Sequence, residues 1–232
     1  MNRIECPSPN YDMRPDGAVI DMLLLHYTGM ANAEAALSRL CDPAGKVSAH
    51  YTIDEAGTVY AHVAEDRRAW HAGVEHWAGA GDINARSIGI ELVNPGHAFG
   101  YRPFPPEQIA ALTTLCHSIL MRHPIPSWRV LGHSDVAPAR KEDPGELFPW
   151  ARLAKAGIGL FPINGGPERE PGNLGPDSLV RFGYDPSAPL EKVILAFQRH
   201  FRPRGLTGVW DEECAGLLAG LLARLPGGET AA

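Results

Sequence analysis

Val19-Ile20-Asp21-Met22-Leu23-Leu24-Leu25-His26-Tyr27-Thr28, closed by Gly29, is the stretch on which the fold of this 232-residue chain turns. It has the length of a strand, and its apolar residues are consecutive rather than alternating. Both faces must therefore be covered, as in a buried central strand, with a polar residue emerging at its end. A second buried strand is expected over Ser87-Ile88-Gly89-Ile90-Glu91-Leu92-Val93, and a third from Trp128 to Gly132.

Outward from these strands the pattern alternates. Ala33 to Leu40 reads as a short helix with Asn32 as N-cap and Asp42-Pro43 closing it. Val47 to Val63 reads as a hairpin about the turn Asp54-Glu55-Ala56-Gly57. Pro106 to His123 is a helix, with Ile109, Leu112, Leu115, Cys116 and Ile119 as its apolar stripe and Pro124 as its stop. Residues 1–17 read as an extended polar arm, and Ala69 to Ala85, rich in Gly, His and Trp without a period, as a surface loop. The expected class is α/β, a mixed central sheet flanked by helices.

From Gly157 to Pro176, ten of twenty residues are Gly or Pro, the composition of a linker. Beyond it, a short helix near Ser178 to Phe182 and longer ones at Leu190 to Phe201 and Asp211 to Leu225 suggest a small C-terminal three-helix domain. The expected organisation is 1–156, with the arm 1–17, then linker 157–176, then helical domain 177–232.

Composition excludes several classes. A net charge of −6 gives no support to a general nucleic-acid or anionic-membrane role. No stretch approaches eighteen apolar residues, so no spanning helix is expected. The first ten residues hold no apolar run of the kind a secretory signal needs, which points to the cytoplasm; a trimmed mature form would instead place the protein in the periplasm. Cys6, Cys41, Cys116 and Cys214 are too far apart for a zinc ribbon or a thioredoxin-type motif, and reduced, mostly buried thiols are expected.

Chemistry concentrates in Gly132-His133-Ser134-Asp135-Val136-Ala137-Pro138-Ala139-Arg140-Lys141-Glu142-Asp143-Pro144-Gly145. Its prolines oppose a regular helix, so the loop can fold back and aim His133, Lys141 and Asp143 at one point. His26, at the end of the first strand, supplies a second imidazole. Two histidines and one carboxylate form a three-ligand set that leaves zinc an open position. Glu91, alone in an apolar strand, fits a desolvated general base, and Lys141 a fixed charge for a developing oxyanion. Singly, each has a bland explanation: a hydrogen-bonded structural histidine, a paired carboxylate, an Asx- and Pro-rich turn. Their joint occurrence on separate segments of one α/β pattern favours a site.

Leu25-His26-Tyr27-Thr28, Ser48-Ala49-His50-Tyr51, Trp70-His71-Ala72-Gly73, Asn84 with Ser87 to Leu92, and Gly132 to Gly145 together resemble the zinc-dependent N-acetylmuramoyl-L-alanine amidases of the AmpD/AmiD group, relatives of the peptidoglycan-recognition proteins. The resemblance implies one zinc per chain on His26, His133 and Asp143, with Glu91 and Lys141 catalytic. It implies cleavage of the amide between N-acetylmuramic acid, in its plain or its 1,6-anhydro form, and the L-alanine of the stem peptide, in wall recycling or turnover. Peptidoglycan fragments are the expected partners of an expected monomer. Asn84, His50, Trp70 and His71 match positions near the family's groove, and Arg86 is a further candidate for a peptide carboxylate. A non-catalytic sensor of the same fold is the alternative, disfavoured by the complete ligand set. Leu179 to Asp185, Ala196-Phe197-Gln198-Arg199-His200-Phe201 and Leu206 to Asp211 are similar to the small three-helix peptidoglycan-binding module.

Overall fold

The computed structural model describes residues 3–73, 75–162, 169–170 and 172–227. Part of the expected linker, 163–168 and 171, thus lies outside the described residues.

The strands are β1 (Arg3–Glu5), β2 (Tyr11–Met13), β3 (Met22–Tyr27), β4 (Tyr51–Ile53), β5 (Val59–Ala61), β6 (Arg67–Ala69), β7 (Ser87–Leu92) and β8 (Val130–Gly132). The helices are α1 (Ala33–Cys41), α2 (Ile83–Arg86), α3 (Gly96–Phe99), α4 (Pro106–Arg122), α5 (His133–Val136), α6 (Trp150–Lys155), α7 (Leu179–Phe182), α8 (Leu190–Phe201) and α9 (Glu212–Leu222). Six strands form one sheet in the order β1-β5-β4-β7-β3-β8, parallel throughout except for the β4–β5 hairpin; β2 and β6 form a separate antiparallel ribbon. This is the mixed sheet flanked by helices that the strand pattern predicts. Among the described residues, no helix is long and apolar enough to cross a membrane.

The consecutive apolar residues of β3 divide between two faces. Leu23 and Leu25, with Ile88 and Ile90 of β7 and Val130 of β8, pack against the Ile109, Leu112, Leu115 and Ile119 stripe of α4. Met22, Leu24 and Leu131 point the other way and pack with Trp77 and with Phe182, Val193 and Phe197 of the C-terminal helices. Period two then carries the second face on to His26, to its in-register partner Glu91, and past Leu131 to His133. All three leave the carboxyl ends of parallel strands, where ligands bind in open α/β sheets.

Several expectations need correction. The arm is not merely extended: β1 adds to the edge of the sheet beside β5, and β2 pairs with β6. The stretch from Ala69 to Ala85 is not a surface loop, because His71, Ala72 and Trp77 are buried, Trp77 beneath Phe182 and Tyr184. The loop after β8 contains one helical turn, α5, before Pro138 ends it. Asn32 does cap α1, accepting from the Ala35 N–H at 2.9 Å, and Asp54 accepts from Ala56 and Thr58 to close the hairpin turn.

Candidate metal centre and groove

The geometry begins with glycines. A Cβ at Gly132 would stand 2.6 Å from Pro144 Cδ, so only glycine lets the returning loop pass this close to the end of β8. The Ser134 N–H donates to the Asp143 carbonyl at 2.9 Å, and the Gly132 N–H to Asp135 Oδ2 at 2.8 Å. These bonds fold Asp143 back beside His133. Asp135, fully buried, also accepts from Tyr184 Oη at 2.8 Å and from His200 Nδ1 at 2.8 Å, fastening the C-terminal helices to the same turn.

His26 Nδ1, His133 Nδ1 and Asp143 Oδ2 converge, with the three pairs at 3.0, 3.0 and 3.1 Å. Hydrogen-bond bookkeeping shows what these atoms present to one another. His133 Nε2 lies 3.0 Å from the Ala72 carbonyl, which can only accept, so the proton sits on Nε2 and Nδ1 is bare. Ser87 Oγ donates to the Ile83 carbonyl, leaving its lone pairs to accept from His71 Nε2. His71 Nδ1 therefore accepts from His26 Nε2 at 3.1 Å, and His26 Nδ1 is bare as well. Two imidazole lone pairs and a carboxylate oxygen facing one point form a donor set for a cation, and two nitrogens with one oxygen suit a borderline divalent metal. Burial, and after it the neighbouring His133, pushes His26 down to about 4, so it is neutral at pH 7.

The centre opens on a groove of about 680 Å³. Glu91 lines it, its Oε2 buried without a hydrogen-bond partner. Burial and then the Asp143 charge raise Glu91 well above the ordinary carboxyl value, with Lys141 opposing. Lys141 lines the same groove two residues before Asp143. Arg39 of α1 stands in one wall, and Lys192 and Arg199 of α8 in another.

The structure thus brings together His26, His133, Asp143, Glu91 and Lys141. The other expected contacts fare differently. His71 reaches the groove but spends both nitrogens on His26 and Ser87. Asn84 is buried, and its Oδ1 accepts from the backbone N–H groups of His71 and Ala72, so it shapes the loop behind His71. His50 is fully buried between the Gly89 N–H and the Arg67 carbonyl and is pushed down to about 3, by burial first and then by Arg14. Trp70 donates to Asp12, and Arg86 pairs with Asp21. None of these last four lines the groove. Sequence reasoning missed Arg199 and Lys192 as groove residues, because only tertiary packing brings α8 to the site. Asp135 was readable only as an ordinary turn residue.

A family profile described as N-acetylmuramoyl-L-alanine amidase matches residues 16–146. The N-acetylmuramoyl-L-alanine amidase AmiD of Escherichia coli (strain K12) is 36% identical over 88% of this chain and 83% of its own length. The 1,6-anhydro-N-acetylmuramyl-L-alanine amidase AmpD of Citrobacter freundii is 36% identical over 63% of this chain and 86% of its own. Among solved structures, E. coli AmiD in complex with the substrate anhydro-N-acetylmuramic acid-L-Ala-D-gamma-Glu-L-Lys superposes with a TM-score of 0.80 at 36% identity, covering 90% of this chain and 92% of that one. AmpDh3 from Pseudomonas aeruginosa, in complex with anhydromuramic pentapeptide, gives 0.78 at 34% identity, with 88% and 91% covered.

Proposed function

The chain belongs to the N-acetylmuramoyl-L-alanine amidase family and hydrolyses the amide between N-acetylmuramic acid and the L-alanine of the peptidoglycan stem peptide, and we propose that it does so with one zinc ion on His26, His133 and Asp143. The observation that carries this reading is the convergence of two bare imidazole nitrogens and a carboxylate oxygen beside an unpartnered, desolvated Glu91. Zinc bound there would polarise the scissile carbonyl and acidify water.

The side chains supply the rest. Glu91 takes the proton of the attacking water and returns it to the leaving L-alanine amine; its raised proton affinity suits both halves of that task. Lys141 holds a positive charge toward the oxygen on which negative charge develops. His71 and the Ala72 carbonyl fix the tautomers that leave the two Nδ1 atoms free.

The relatives' solved complexes, which contain anhydro-muropeptides, support the substrate class. A 1,6-anhydro-N-acetylmuramyl peptide is accordingly the proposed substrate. Residues 1–156 form the proposed amidase domain, 157–176 the linker and 177–232 a peptidoglycan-binding-like domain. In its support, AmiD aligns over 88% of this chain and AmpD over 63%. The placement of Lys192 and Arg199 at the groove suits contact with a carboxylate-bearing stem peptide. The test is release of stem peptide from anhydro-muropeptides, reduced muropeptides and sacculi, followed by mass spectrometry. Chelation should abolish release and zinc restore it. Release that survives complete metal removal would refute the metal assignment.

A further inference from the structure

Cys6 and Cys41 lie far apart in sequence, outside the catalytic groove, with their Sγ atoms 3.2 Å apart. Both are partly exposed, whereas Cys116 and Cys214 are buried. Cys6 follows β1 on the N-terminal arm, where its N–H donates to the Ala61 carbonyl at 2.9 Å. Cys41 ends α1, whose Ala36, Arg39 and Leu40 form part of the groove wall. The arm grips that helix end at further points: Ser8 Oγ donates to the Leu40 carbonyl at 2.6 Å, and Asn10 Nδ2 to the Asp42 and Val47 carbonyls.

His62 stands beside the pair, 3.7 Å from Cys41 Sγ, so the three groups invite comparison with a metal site. The imidazole argues against one. Its Nδ1 lies 2.7 Å from the Cys6 carbonyl, which can only accept, so Nδ1 carries the proton and has no lone pair for a metal. Nε2 is bare but accepts from Thr52 Oγ1 at 2.8 Å and faces away. Without that third ligand, two facing thiols remain.

We propose that Cys6 and Cys41 are a thiol pair that takes a low-molecular-weight disulfide as oxidant and closes a bond between the arm and the groove wall. The Cys6 thiolate attacks one sulfur of the oxidant, forms a mixed disulfide and releases one thiolate. The Cys41 thiol then gives its proton to the thiolate already released and attacks Cys6 Sγ, breaking the mixed disulfide and releasing the second thiolate, which takes a proton from solvent. Two protein thiols are oxidised and one external disulfide is reduced to two thiols. Closing to the bond length of about 2.05 Å needs little more than about 1 Å of movement shared by two partly exposed side chains.

The experiment treats the metal-loaded full chain with oxidised glutathione. The expected result is loss of two of the four thiols, a mass lower by two hydrogens, and one cross-linked peptide joining Cys6 to Cys41, all reversed by dithiothreitol. The melting temperature of the oxidised form should rise by roughly 5 °C, since a loop of this length is closed in the unfolded chain. Cys41→Ser should abolish both the cross-link and the rise. A stable glutathione adduct without cross-link, a cross-link elsewhere, or four free thiols at saturating oxidant would overturn the proposal. So would a second equivalent of zinc that shields the wild-type thiols and is missing from Cys41→Ser. Peptide mapping of the unmutated chain keeps the test decisive even if the variant folds poorly.

Discussion

Replacing Glu91 by Gln separates the proton chemistry of the site from its architecture. Gln has nearly the same shape, so the packing of β7 against β3 and the in-register neighbour His26 are retained. What is lost is a carboxylate whose Oε2 is buried without a hydrogen bond and whose proton affinity is raised by burial and by Asp143. General acid–base catalysis typically contributes about 10²- to 10⁴-fold, equivalent to roughly 2.7–5.4 kcal/mol of barrier. E91Q should therefore lower kcat by that factor, with KM changed less than about threefold and bound zinc unchanged, because the three proposed ligands are untouched. Stability should move the other way. A carboxyl whose proton affinity is raised in the fold costs the folded state once pH exceeds its ordinary value of 4.5, since the unfolded chain ionises first. The amide carries no such cost, so the variant should melt at or above the parent temperature at pH 7, and this advantage should vanish below about pH 4.5. The assay is stem-peptide release with elemental analysis and thermal melts on the same preparation. Zinc lost in proportion to activity, or kcat within tenfold of the parent, would refute the assignment of Glu91 as proton carrier.

Three further outcomes are expected. Gly89→Ala places a Cβ about 2.5 Å from three atoms of the His71 ring, so His71 must move off His26; zinc affinity should fall roughly 10- to 100-fold, measured by competition with a chromophoric chelator. Tyr184→Phe leaves Asp135 Oδ1 buried without its donor, a loss of about 1–3 kcal/mol that should appear as a melting temperature lower by several degrees. Glu65 is held down to about 2: burial alone would raise it, but hydrogen bonds from Arg122, His123 and Tyr51 prevail. Its contribution is present above pH 4.5 and is lost as pH falls toward 2, so the melting deficit of Glu65→Gln should be full at pH 7 and shrink across that interval.

What the sequence made legible follows from the range of the interactions involved. Buried strands announce themselves locally, because an unbroken apolar run such as Met22 to Leu25 needs cover on both faces; the polar residue at its end is then conspicuous. His26 stands out this way, Glu91 as the lone charge inside such a run, and His133 in the Pro-bounded loop that follows the third. The strands β1 and β2 left no such trace: each has three residues, all exposed, and exists only through pairing with β5 and β6. The stretch around Trp77 failed for a related reason. Its burial comes from Phe182 and Tyr184, more than a hundred residues away, and no local period encodes that contact. Asn84, His50 and Arg86 were polar residues near the right motifs, but their hydrogen-bonding groups are consumed inside the protein, which only coordinates reveal.

One face of the sheet carries both the second core and the chemistry. Along β3 it runs Met22, Leu24, His26; along β8 it runs Leu131 and then His133. The C-terminal helices cover the first part of this face and stop where the polar residues begin, so α8 becomes a wall of the groove that the proposed ligands share. The joint is Asp135, which ties Gly132 beneath His133 to Tyr184 and His200. A carboxylate this buried is tolerated because three donors satisfy it. Its placement means that the helical module and the turn carrying His133 are stabilised by the same hydrogen bonds. Packing of the C-terminal helices and order at the candidate metal site are therefore coupled through one side chain, and a disturbance of either should be felt at the other.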